Sequence, residues 1–199
     1  MFCHLAGSAI KQRYDVGRID QQSKWKPTSI ETKWLLLSGA SDPPSCIKIS
    51  NRRTRDIPEM RSRAFLSGVT FDLANMEAAV GHKLFNSVKD IKLSKSAARD
   101  HIQGFFNQCA QDRVKPMLYY TGHGENGTGN WCFADGKISI REILAMCPEG
   151  SYYPMIFSDT CYSGHWANFC LKKKLSGFNC LAACPEFSKA VDTKGLFIL

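Results

Sequence analysis

Hydrophobic residues along this chain fall into short unbroken runs and helically spaced stripes, separated by polar or glycine-containing segments. Residues 1–32 are polar and aperiodic and carry neither pattern. Trp34-Leu35-Leu36-Leu37-Ser38-Gly39 is the first run that reads as a buried strand, closed by a glycine turn, so the folded domain is expected to begin near Lys33. Farther on, Leu73, Met76, Val80 and Leu84 recur on one helical face behind Asp72, a candidate cap, and residues 88–91 read as a short strand. Ala98, Ile102, Phe105 and Cys109 give the stripe of a second helix, with Ser94 or Ser96 as its cap. Pro116 then opens a strand that leads to His123.

Ser139 and Glu142 have the spacing of a capping box ahead of Ile140, Ile143 and Leu144. A third helix is therefore expected between the strand ending at His123 and the strand ending at Cys161. Residues 164–173 read as a fourth helix, and residues 177–184 and 195–199 as two more strands. Strands alternating with helices predict an α/β fold: a three-layer sandwich whose central, mostly parallel sheet is flanked by helices. The expected organisation is a polar extension over residues 1–32 and a single domain over 33–199.

Composition narrows the setting. The 199 residues, 44% of them apolar, suit one compact domain, and no apolar run reaches the roughly 18 residues a membrane-crossing helix needs. Residues 1–10 lack the basic start and cleavage site of a secretory signal. Nine cysteines at irregular spacing form no disulfide framework, which favours a reducing, cytoplasmic environment. Cys180 and Cys184 are read as core thiols rather than zinc ligands, because no second pair or spaced histidine accompanies them. The net charge of +8 gathers partly in Lys48, Arg52, Arg53, Arg55, Arg61 and Arg63, among prolines. That segment reads as a solvated loop; without interleaved aromatics it makes only a weak case for nucleic acid.

Two segments carry the candidate chemistry: Tyr119-Tyr120-Thr121-Gly122-His123-Gly124 and Phe157-Ser158-Asp159-Thr160-Cys161-Tyr162-Ser163-Gly164. Each is an apolar run ending in a reactive side chain near glycine, the way a parallel sheet presents functional groups at its carboxyl edge. A thiol and an imidazole delivered together point to a cysteine nucleophile, Cys161, and its base, His123. The helix after Cys161 is expected to lower the thiol pKa through its N-terminal N–H groups. Gly124 and Cys161 are the candidate backbone donors to the oxyanion of an acyl-transfer intermediate. Trp131 and Phe133 read as either groove walls or core, and His165 as a weaker candidate base.

These two segments, in this order, resemble the catalytic signature of the caspase-like cysteine peptidases, the group of caspases, metacaspases and paracaspases. The resemblance spans residues 33–199. It implies a caspase-like fold, His123 as general base and acid, Cys161 as nucleophile and Gly124 as an oxyanion donor. Asp159, two residues before the nucleophile, is similar to the metacaspase pattern, which implies cleavage after arginine or lysine. A carboxylate in the first specificity pocket attracts a cation, whereas an Asp that merely caps the following turn is the competing reading.

Three features depart from that pattern. Tyr162 stands where metacaspases usually have histidine, and the 38-residue spacing from His123 to Cys161 is shorter than the roughly 50 of caspases. The chain also ends at Leu199, directly after the strand expected to complete the sheet, so pocket loops beyond it are expected to be missing. No cofactor is called for by the residues; calcium enters through the resemblance alone. The expected partners are protein or peptide substrates, with a homodimer through the final edge strand as a further expectation, and neither membrane nor nucleic acid. Lys172-Lys173-Lys174 is either a solvated helix end or a self-cleavage site. A catalytically inactive scaffold of the same fold is the alternative to a peptidase.

Overall fold

A computed structural model of the protein describes residues 30–39, 66, 68–174 and 177–190. The polar extension, the basic loop and the expected strand at 195–199 lie outside the described residues. Strand β1 (Thr32–Ser38) forms where expected, and Leu35, Leu36 and Leu37 are fully buried. Three successive leucines are buried because both faces of the strand are covered; each contributes about 1.5–3 kcal/mol of transfer free energy.

Helix α1 (Val69–Val80) begins at Gly68, one turn earlier than expected, so Asp72 lies within its first turn rather than at its cap. A short 3-10 turn (Gly81–Lys83) ends it, and Leu84 opens strand β2 (Leu84–Val88) instead of extending the helix. Helix α2 (Lys95–Asp112) is capped by Ser94, whose Oγ accepts from the Ala97 N–H, and it buries Ala98, Ile102, Phe105 and Cys109 as the periodicity predicts. Strand β3 (Lys115–Thr121) leads into the His123 loop, which a two-residue ribbon follows: β4 (Trp131–Cys132) against β5 (Lys137–Ile138), antiparallel. Helix α3 (Ile140–Ala145) carries both hydrogen bonds of the Ser139–Glu142 capping box. Strand β6 (Met155–Asp159), helix α4 (Gly164–Lys173) and strand β7 (Asn179–Ala182) complete the order.

The five principal strands form one sheet in the order β2-β1-β3-β6-β7, and every pairing in it is parallel. Side chains alternate between its faces. Leu36, Tyr119 and Leu73 make one cluster with Trp34, Met76 and Phe157 under α1. Leu35, Leu37, Leu118, Tyr120 and Ile156 pack on the other face with residues of α2, α3 and α4. Helices therefore cover both faces of the sheet. Among the described residues no helix is long and apolar enough to cross a membrane.

Candidate functional site

The site is set by register. On neighbouring parallel strands Thr121 of β3 pairs with Asp159 of β6, so His123 and Cys161 each follow a paired residue by two positions. Adjacent strands are about 4.8 Å apart, and both residues leave the sheet at its carboxyl edge. The turns touch directly. A Cβ added at Gly124 would lie 2.0 Å from the Cys161 carbonyl oxygen and 2.7 Å from Thr160 Oγ1. Any side chain there would force the two turns apart.

The histidine turn is held from behind. Tyr120 Oη donates to the His123 carbonyl at 3.1 Å, and the Cys132 N–H donates to the same oxygen at 3.0 Å. Gly124 bridges Trp131 in antiparallel fashion, with the connecting bonds made by its neighbours, Cys132 to His123 and Glu125 to Asn130. In that arrangement the N–H of Gly124 points away from β4. Gly122 has φ 153°, and an added Cβ would meet the Gly39 Cα at 2.8 Å, which explains glycine just before the histidine. Glu125 accepts from Thr128, Asn130 and Lys137, which ties down the Asn126-Gly127-Thr128 turn.

Beneath both turns the rings of Tyr120, Trp131 and Trp166 stack, with centroids 4.5 and 4.6 Å apart. The stack joins β3, β4 and α4, the elements that carry or flank the two turns. Trp131 Nε1 donates to Ser158 Oγ at 2.9 Å, adding a tie to β6. Trp131 and Phe133 are fully buried, so of their two sequence readings the core one holds.

Cys161 is half-buried in a tight turn in which Tyr162 takes a left-handed backbone, φ 61°. That conformation is unusual for an aromatic residue and costs on the order of 1–3 kcal/mol. Residues 183–190 run alongside it. The Tyr162 N–H donates to the Ser188 carbonyl at 2.8 Å, Ser163 Oγ accepts from the Cys184 N–H at 3.2 Å, and Cys161 Sγ lies 3.9 Å from the Ala190 carbonyl. Gly164 has no room for a side chain, because its Cβ would sit 2.3 Å from the Glu186 nitrogen. Glu186 is held by Asn168 at 2.5 Å, with His165 Nδ1 3.8 Å away, so His165 serves this wall.

Burial raises the Cys161 thiol above its ordinary value. The expectation of a helix-lowered pKa is thus reversed. Desolvation of the thiolate is the largest cause, and the resting sulfur is protonated at neutral pH.

Asp159 is half-buried, and one carboxylate oxygen accepts from Tyr119 Oη at 3.0 Å. The sequence reading missed its companion. Asp72, from the first turn of α1, accepts from Thr121 Oγ1 at 3.2 Å, and burial, with the charges of Asp159 and Asp72 behind it, raises the Tyr119 hydroxyl pKa. Asp72, Thr121, Tyr119 and Asp159 therefore form a polar cluster on the α1 face of the sheet, at the same carboxyl edge as the two turns. The only sequence signal was an Asp near a helix start, which a capping role explained equally well. Among the described residues no group of three or more His, Cys, Asp or Glu side chains is placed to hold a metal ion. No protein-family model matches the chain, and a search of curated proteins finds no match.

Proposed function

We propose that this protein is a cysteine-type endopeptidase of the caspase-like kind, using Cys161 as nucleophile and His123 as base, and cutting after arginine or lysine. The observation that carries the reading is the Thr121–Asp159 register with Gly124 seated on the Cys161 carbonyl. It supports a thiol and an imidazole acting on one scissile bond. His123 takes the thiol proton as the sulfur attacks the peptide carbonyl, and the new oxyanion is met by the N–H groups of Gly124 and Cys161. His123 then delivers the proton to the leaving amine, and water hydrolyses the thioester. Because burial keeps the thiol protonated, base assistance is required at the moment of attack rather than a preformed thiolate.

The carboxylates of Asp159 and Asp72 support a basic residue before the cut, since a guanidinium entering between them replaces lost hydration with charge-assisted hydrogen bonds. Peptides ending in arginine, lysine and aspartate ahead of a fluorogenic leaving group test this directly. Cleavage is expected for the first two, with kcat/KM falling about 10²-fold in Asp159→Asn. A preference for aspartate refutes the pocket.

An inactive scaffold is the second reading. The raised Cys161 pKa and the Ala190 carbonyl beside the sulfur favour it. Cys161 that resists every electrophile in folded protein, at alkaline as well as neutral pH, decides for the scaffold.

A further inference from the structure

Residues 183–190 leave the end of β7 and run back across the Cys161 turn as a strap held at three levels. At its base the Cys184 N–H donates to Ser163 Oγ at 3.2 Å, and the Cys184 thiol to the Thr160 carbonyl at 3.3 Å. In the middle, a turn closed by the Ser188 N–H on the Pro185 carbonyl at 3.1 Å presents Glu186 to α4, where Asn168 Nδ2 donates to its carboxylate at 2.5 Å. His165 Nδ1 stands 3.8 Å from the same carboxylate. At the tip the Ser188 carbonyl accepts from the Tyr162 N–H at 2.8 Å, and the Ala190 carbonyl faces Cys161 Sγ at 3.9 Å. Little apolar packing backs these bonds. Pro185, Phe187 and Lys189 are exposed, and the strap lies outside both apolar clusters of the described fold. A segment fixed by a few hydrogen bonds and one charged latch opens at far lower cost than the sheet beneath it.

We propose that residues 186–190 open and close as a local unit that shields the Cys161 sulfur, hinged at Cys184 and latched by Glu186 on Asn168. Closed, the strap gives the thiol a main-chain carbonyl to face and keeps the residue half-buried. Open, it takes the Ala190 carbonyl away from the sulfur and releases the N–H of Tyr162, next to the nucleophile. Tyr162 favours the opening. Its left-handed backbone, φ 61°, is held by the bond to Ser188 and is free to relax once that bond is gone. The latch sets how often the strap lifts, and Glu186 and Asn168 act on Cys161 through the strap, which makes them positioning residues. The shielding concerns the sulfur itself, so it holds whether or not the chain cleaves peptides.

Timed iodoacetamide labelling of the folded full chain, mapped peptide by peptide, tests the proposal, with buried Cys109 as the internal reference for unfolding. Glu186→Ala and Asn168→Ala should each label Cys161 about 10-fold faster than wild type while Cys109 stays unlabelled, the scale on which losing a charged hydrogen bond shifts an opening equilibrium. Glu186→Gln, which keeps an oxygen for Asn168, should stay within about 3-fold of wild type. Equal Cys161 rates in wild type and both alanine variants overturn the strap. Hydrogen exchange on wild type decides the question without any variant: the Tyr162 amide should exchange through an opening that low denaturant does not accelerate, while amides of β3 exchange only with global unfolding. A Tyr162 amide as protected and as denaturant-sensitive as those of β3 overturns the proposal.

Discussion

Gly124 shows how single atoms decide the site. A Cβ there collides first with the Cys161 backbone, which has no freedom to swing aside, and then with Thr160 Oγ1. Gly124→Ala is therefore expected to lower kcat/KM by about 10²–10³-fold, the scale of losing an oxyanion donor, and to cost about 1–3 kcal/mol of stability. Gly104→Ala is its control: Gly104 lies mid-helix in α2 with open space around its Cα, so the change should stabilise the fold by about 0.5–1 kcal/mol and spare activity. Denaturant melts and steady-state kinetics on the pair separate the two effects. Cys161 offers a second check. Since burial raises its pKa, alkylation by iodoacetamide should accelerate as pH rises through and beyond the ordinary thiol range; a rate already at plateau near neutral pH contradicts the burial argument. The role of Gly124 was legible beside the histidine, but the raised Cys161 pKa was not, because residues 183–190, which run alongside Cys161, follow it by more than twenty positions in an irregular segment.

Elements were legible wherever a local signal existed. Ser139 stands directly ahead of Ile140 and caps the helix it was expected to cap, and of the two serines expected before the Ala98 stripe, Ser94 and Ser96, it is Ser94 that caps α2. Asp72 misled because helix α1 starts on Gly68, which has no side chain to mark a cap, so the first polar residue at the right distance was credited instead. Leu84 continued the helical stripe by chance of spacing, yet Gly81 takes φ 54° and breaks the helix ahead of it. Glu142 makes the capping box testable. Burial alone would raise its pKa, but Lys95 and the Ser139 N–H and hydroxyl outweigh it and bring the carboxyl down to about 2. A lowered folded pKa means the stabilisation is present above the unfolded value and is lost as pH falls towards 2. Glu142→Gln should cost about 1 kcal/mol near neutral pH and make the acid side of a stability–pH profile shallower between pH 5 and roughly 2.

At the scale of the molecule, the alternation of apolar runs and stripes was enough to predict a parallel sheet covered on both faces, and with it the adjacency of the two turns that carry His123 and Cys161, 38 residues apart. Strand order was less accessible. That β7 would pair with β6, and that Asp72 would reach Thr121 across 49 residues, depends on packing of α1 and α4, which no local pattern encodes. Burial of thiols also gives the whole fold an alkaline weakness. Cys109 and Cys147 are raised to about 12 from 9.0, so the folded state holds their protons longer than the unfolded chain does. Stability should then decline as pH rises from about 9 towards 12, and Cys109→Ala should flatten that decline in melts run at graded pH.

The most direct test of a Cys161–His123 peptidase is labelling of the folded chain by an arginine-terminated peptide electrophile, read by mass spectrometry. One adduct is expected, on Cys161, that is lost in Cys161→Ala, falls by at least about 10²-fold in rate in His123→Ala, and is outcompeted by arginine peptides but not aspartate ones. Equal labelling of wild type and His123→Ala, or an adduct on another cysteine, would contradict it.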